Sequence, residues 1–266
     1  MYQLKDMIKN KPLILVTNDD GISAPGIRFL INIMNDFGEV VVVAPDSPRS
    51  GMGHAITLEE TLRCDKVVID KGPQSEYACS GTPVDCVKLS VNKILKRKPD
   101  LCVSGINHGS NSSINVIYSG TMSAAVEGAL EGIPSIGFSL LDYSHDADFS
   151  EAEKYIRKIT NAVLKHGMKD GVCLNVNIPK KQSDININGI KVCRQANANW
   201  VEEFEERKDP RGHKYYWLTG KFINHDDGED TDEWALENHY VSVVPVQFDV
   251  TSYDSIDIVK DIIFNE

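Results

Sequence analysis

Four short stretches of this chain gather side chains able to do chemistry, each beside an apolar run. Thr17-Asn18-Asp19-Asp20-Gly21 offers two adjacent carboxylates where an ordinary connection needs only a turn and a cap. Asp46-Ser47-Pro48-Arg49-Ser50-Gly51-Met52-Gly53-His54 is rich in glycine and hydroxyls. Ser50 can give an oxygen ligand there, and His54 a proton or a phosphate contact. Ser104-Gly105-Ile106-Asn107-His108-Gly109-Ser110-Asn111 adds amides and hydroxyls, then leads to Tyr118-Ser119-Gly120-Thr121 at the start of a helical pattern. Free backbone N–H groups at such a helix start, with hydroxyls and a close-approach glycine, make an anion site. Ser80-Gly81-Thr82 opens a second helix in the same way, although capping alone explains either hydroxyl.

Asp19, Asp20, Ser50 and Asn107 together form an all-oxygen set that suits one hard divalent cation, Mg²⁺ or Mn²⁺. A cation beside the Ser119/Thr121 cradle points to phosphoryl transfer to a cation-activated water. Plainer readings stand beside this one: Asn, Asp and Gly make turns, and a histidine in a glycine-rich loop is usually solvated. The proton carriers stay open among Asp19, Asp20, His54 and His108, and a cation that acidifies its own water needs no separate base. His225-Asp226-Asp227-Gly228-Glu229-Asp230 lacks the alternating ligands of a calcium loop and reads as a solvated loop.

The elements that must position these loops alternate between β-branched runs and helical spacings. Residues 12–17, 39–44, 100–104 and 133–138 read as buried parallel strands, and 25–37, 82–95 and 120–131 as helices between them. Ligands in such sheets bind beyond the carboxyl ends of the strands. The expected fold is a three-layer α/β/α, doubly wound, Rossmann-like domain with a mostly parallel sheet over residues 1–178. From 179 to 266 the pattern changes to an extended hairpin about Asp209-Pro210-Arg211-Gly212. A hairpin so long and so poorly backed by apolar residues is expected to pack on a neighbouring subunit.

Composition bounds the rest. Of 266 residues, 28 are Lys or Arg and 39 Asp or Glu, a net charge of −11 that argues against coating nucleic acid. Six cysteines include no C-x-x-C pair, and all six read as reduced. Met1 to Asp6 lacks the basic and apolar regions of a signal peptide, and no run is long enough to span a membrane, so the expected home is the cytoplasm. A covalent aspartyl mechanism is disfavoured because Gly21 stands where its acid/base Asp would lie, and a nicotinamide enzyme because the G-x-G-x-x-G fingerprint is missing. A nucleotide-binding regulator without activity stays open.

Ile14 to Gly21, Ala44 to His54, Ser80 to Val87 and Ser104 to Thr121 resemble, in order and spacing, the SurE family of survival-protein nucleotidases, and Asp230 to Pro245 is similar to its C-terminal region. The resemblance implies a metal-dependent phosphomonoesterase of nucleoside 5′- and 3′-monophosphates. It implies one divalent cation on Asp19, Asp20, Ser50 and Asn107, phosphate on Asn111, Ser119, Gly120 and Thr121, catalysis through Asp19, Asp20 and Asn107, and a homodimer or homotetramer assembled through the hairpin and a C-terminal oligomerisation segment within residues 179–266. Two departures are visible: Asn115 stands where the family usually has aspartate, and Met122-Ser123 where it has Val-Gly. Neither falls on an implied ligand, so they imply altered loop packing or substrate preference.

Overall fold

Apolar runs that solvent would not tolerate become the central strands of one sheet, in a computed structural model that describes residues 11–144, 146–182 and 185–264. The reading of Met1 to Asp6 lies outside the described residues. The strands are β1 (Leu13–Thr17), β2 (Glu39–Pro45), β3 (Cys64–Val67), β4 (Ser75–Cys79), β5 (Leu101–His108), β6 (Ser135–Leu140), β7 (Val172–Ile178), β8 (Ile190–Val192), β9 (Ala198–Lys208), β10 (Lys214–Asn224) and β11 (Val241–Gln247). All but β9 and β10 share one nine-stranded sheet, ordered β3-β4-β2-β1-β5-β6-β7-β11-β8. From β4 to β7 every neighbouring pair is parallel, while β3 and β11 run antiparallel to β4 and β7.

Alternation along β1 divides the core into two layers. Ile14 and Val16 pack beneath α1 (Pro25–Met34) and α4 (Glu153–His166), with Ile27, Leu30, Ile156 and Ile159 in one cluster. Leu13 and Leu15 face α2 (Pro83–Leu89) and α3 (Gly120–Leu130) through Cys86, Val87 and Ala124. Fully burying each such aliphatic side chain contributes about 1.5–3 kcal/mol, so both faces hold the sheet. The chain runs from β1 outward through β2 to β4, then returns to the other side of β1 as β5. That reversal opens a crevice at the carboxyl ends of β1 and β5, where Asp19 and Asn107 lie.

Four expectations need correcting. First, the sheet does not stop at residue 178: β11 pairs with β7 from Ser242↔Asn177 to Gln247↔Val172, and β8 adds beyond it. The switch from parallel to antiparallel disguises their membership in the sequence. Second, Cys64 and Cys79 are disulfide-bonded across the facing β3 and β4, leaving Cys86, Cys102, Cys173 and Cys193 free and buried. Burial in apolar runs explains the free ones, whereas the pair is brought together by strand register that no local motif records. Third, the helix expected over 82–95 ends as α-helix at Leu89 and continues as one π-helical turn, Ser90–Ile94. Fourth, the acidic stretch is not merely solvated: Asp226 and Asp230 clamp the Arg194 guanidinium at 2.5 and 2.9 Å.

β9 and β10 pair with each other alone, from Ala198↔Asn224 to Lys208↔Lys214, as the expected hairpin. Phe204, Tyr216, Trp217 and Leu218 on it are exposed, and α6 (Ile256–Phe264) buries none of its residues. Just before β11, α5 (Asp232–Glu237) buries Asp232, whose carboxylate accepts from Ser113 N–H and Ala196 N–H, each at 2.8 Å.

Candidate active site

The crevice at the switch point is a cleft of about 240 Å³, and Asp19, Asp20, Ser50, Asn107, Asn111 and Ser119 all line it. Backbone bonds lock its floor: Arg49 N–H donates to Asp19 O at 2.7 Å and Ile22 N–H to Pro45 O at 2.8 Å, tying the loop after β1 to the loop after β2. Gly105 has φ of +126°, and a Cβ there would stand 2.3 Å from Phe138 O, so only glycine carries β5 through this turn to Asn107. Asn107 Nδ2 donates to Gly109 O at 2.9 Å, which leaves its Oδ1 as the acceptor available to the cleft. Ser50 stands exposed at the rim.

Asp19 meets the start of α3. The Thr121 hydroxyl donates to its Oδ1 at 2.5 Å. Ser119 caps the helix, its Oγ accepting from Met122 N–H at 3.0 Å. Gly120 is a close approach: a Cβ there would lie 2.6 Å from Asp19 Cβ. Burial first, and Asp20 second, push the Asp19 pKa up from 3.8 to about 6. Burial likewise raises that of Asp20, against the pull of His108.

The donor set fits a hard divalent cation. Asp20 Oδ2 is buried with no hydrogen-bond partner, beside a second carboxylate, and an unpartnered anion there is costly without a counter-charge. Among the described residues no group of three or more His, Cys, Asp or Glu is arranged to hold a metal. What the cleft offers is two carboxylates with one hydroxyl and one amide, the hard-oxygen pattern.

The remaining sequence-derived residues part company. His108 lines the cleft, its Nδ1 held by Ser144 O at 3.1 Å. His54 lies outside it, with Nε2 2.9 Å from Glu127, which also takes Lys88 at 2.6 Å. Thr121 does not line the cleft either, because its hydroxyl is spent on Asp19. Asn115 lines it and accepts from Trp200 Nε1 at 2.8 Å.

The family model described as Survival protein SurE matches residues 14–202. The chain belongs to the SurE family. It is similar to curated SurE proteins named 5′-nucleotidase SurE: 66% identical to that of Flavobacterium psychrophilum over 247 residues, 93% of this chain and 96% of the relative. It is 67% identical to that of Christiangramia forsetii over 248 residues, 93% of this chain and 95% of the relative. The crystal structure of the SurE protein of Aquifex aeolicus superposes with a TM-score of 0.80 at 40% identity, covering 94% of this chain and 99% of that one.

Within this SurE fold, the reading by motif missed the supports of Asn111. Asn111 N–H donates to Asn177 Oδ1 at 2.8 Å, its Nδ2 to Ser139 Oγ at 2.8 Å, and Asn175 Nδ2 donates to Asn111 O at 2.8 Å. Asn175 and Asn177 alternate along an otherwise apolar run, Val172 to Ile178. Two amides on one face of a buried strand were the available signal. Trp200 and Tyr143, which also line the cleft, carried no such signal, being brought in from distant segments.

Proposed function

We propose that this chain hydrolyses nucleoside 5′-monophosphates, and 3′-monophosphates at the same site, to nucleoside and inorganic phosphate in a reaction that depends on one divalent cation, Mg²⁺ or Mn²⁺. The observation that carries this reading is the pairing of a buried Asp19 with a half-buried Asp20, facing the start of α3 in one cleft at the sheet's switch point. Asp19, Asp20, Ser50 and Asn107 would hold the cation. Bound there, it supplies Lewis-acid chemistry, acidifying a water and offsetting charge on the transferring phosphoryl group.

The protein's own groups do the rest. Thr121 and Arg49 fix Asp19, and the Asn175–Asn177–Ser139 ladder fixes Asn111. Asn111, Ser119 and Gly120 receive the phosphate, with Thr121 serving that side through its hold on Asp19. That Asp20 and His108 both line the cleft supports reading them as the groups that move a proton. A homodimer or homotetramer joined through β9–β10 and α6 fits their exposed apolar surface, and a cytoplasmic home fits the absence, among the described residues, of any helix long and apolar enough to cross a membrane.

Phosphate release from a panel of nucleoside 5′- and 3′-monophosphates, by EDTA-stripped protein with and without added Mg²⁺ or Mn²⁺, tests the reading. Release restored by metal and abolished in Asp19→Asn is the expected result. Folded protein that binds nucleotide and releases no phosphate with any metal would make it a regulator instead.

A further inference from the structure

The cleft around Asp19 and Asp20 does not end at them. Gly51, Tyr118 and Trp200 line it and also line a second cleft of about 540 Å³, whose far wall is Leu218, Thr219 and Gly220 of β10. That volume lies within the range of small-molecule sites, about 300–1,000 Å³. No charged side chain lines the second cleft, and its one aliphatic hydroxyl, on Thr219, is taken by Glu203 O at 3.0 Å. Tyr118 directly precedes Ser119, the cap of α3, so an aromatic side chain adjoins the phosphate side.

Trp200 is held in a fixed plane. Its Nε1 donates to Asn115 Oδ1 at 2.8 Å, and its ring lies edge-on to Phe222, its cross-strand partner, with centroids 5.5 Å apart. Yet 42% of Trp200 and 51% of Tyr118 remain exposed. An oriented aromatic surface left open beside an anion site, in an uncharged cleft, fits a ligand that is flat and π-rich at one end and anionic at the other.

We propose that Trp200 and Tyr118 form the nucleobase subsite of this enzyme, and that Asn115 is the positioning residue that holds the Trp200 ring for stacking. The proposal rests on the hydrolase reading above and deepens it by assigning what separates a nucleotide from any other phosphate ester. The lining supplies faces rather than a hydrogen-bond code, so all bases are accepted, and purines, with more surface to stack, are preferred to pyrimidines.

The experiment pairs turnover with binding: kcat/KM for AMP and for ribose 5-phosphate, and calorimetric binding of adenosine and of ribose, in wild type, Trp200→Ala, Asn115→Leu and Asn115→Asp. Stacking one base on an aromatic side chain changes affinity by about 5- to 150-fold. In Trp200→Ala the preference for AMP over ribose 5-phosphate is expected to fall by that factor through KM, and adenosine binding to weaken alongside. Asn115→Leu, which loses the acceptor, is expected to follow it in part, and Asn115→Asp, which keeps an acceptor for the indole N–H, to restore the preference. A loss shared equally by the two esters, or an unchanged preference and unchanged adenosine binding, overturns the subsite. Equal impairment in Asn115→Leu and Asn115→Asp overturns the positioning role. Wild-type protein that binds adenosine through Trp200 but turns over neither ester keeps the subsite and removes the hydrolase reading. Turnover of both esters without preference does the reverse.

Discussion

Asp19 carries the site's conflict between function and stability. Its folded pKa of about 6 lies above its ordinary 3.8, so the native state binds a proton that the unfolded chain has already lost. The associated stability is fully present below pH 3.8 and is lost as pH rises through 6. Asp19→Asn removes that dependence: in EDTA at pH 7.5 the variant should be more stable than wild type by up to about 3 kcal/mol, with the difference shrinking towards pH 4. Urea melts at the two pH values check it, and a variant destabilised equally at both would refute it. Gly120 is the other sensitive residue. Gly120→Ala would drive a methyl into Asp19, with a stability cost of about 1–3 kcal/mol and a loss of phosphate release larger than that cost implies. Steady-state kinetics beside a thermal melt separate the two effects.

Secondary-structure elements aim these residues, and their ends matter more than their middles. α2 begins with a full capping box: Thr82 Oγ1 accepts from Asp85 N–H at 3.1 Å, and Asp85 Oδ2 accepts from Thr82 N–H at 2.9 Å. Asp85 also takes Thr57 Oγ1 at 2.6 Å, so one carboxylate ties the long loop after β2 to the helix. Thr82→Ala should cost about 1 kcal/mol, roughly 2 °C in Tm, whereas Asp85→Ala should cost more because the Thr57 and Thr82 bonds go with it. Calorimetry of the two variants ranks them; because Thr82→Ala also loses the Thr82 Oγ1 bond to Ala55 O at 2.8 Å, equal losses would show that the Asp85 bonds to Thr57 contribute nothing beyond it. The β3–β4 pair makes a separate prediction: unreduced, denatured protein should take up four equivalents of iodoacetamide and reduced protein six, matching the Cys64–Cys79 link and the four free cysteines. Six in both would return all cysteines to the thiol form.

The whole molecule leaves two apolar features uncovered, the β9–β10 hairpin and α6. On α6, Ile258, Val259, Ile262, Ile263 and Phe264 all face outward. Light scattering should therefore report a dimer or tetramer, and the paired changes Ile262→Glu and Phe264→Glu should reduce that mass while leaving the melting of the nine-stranded core intact; a monomeric wild type would refute the assembly. At this scale the division between sequence and structure is visible. Period and composition were enough for β1, β2, β5, the helices α1 and α3 and the β9–β10 hairpin, because burial on one or both faces writes itself into local spacing. The Asp19–Asp20, Ser50, Asn107 and Ser119-Gly120-Thr121 loops were legible for the same reason: each leaves the same edge of a parallel sheet, and the fold class alone brings them together. Tertiary structure alone decided that β11 returns antiparallel to complete the sheet, that Cys64 faces Cys79, that Thr121 spends its hydroxyl on Asp19, and that Trp200 reaches Asn115 across 85 positions of chain. These depend on register and on contacts between distant segments, and a local pattern of residue types carries no information about which distant partner will arrive.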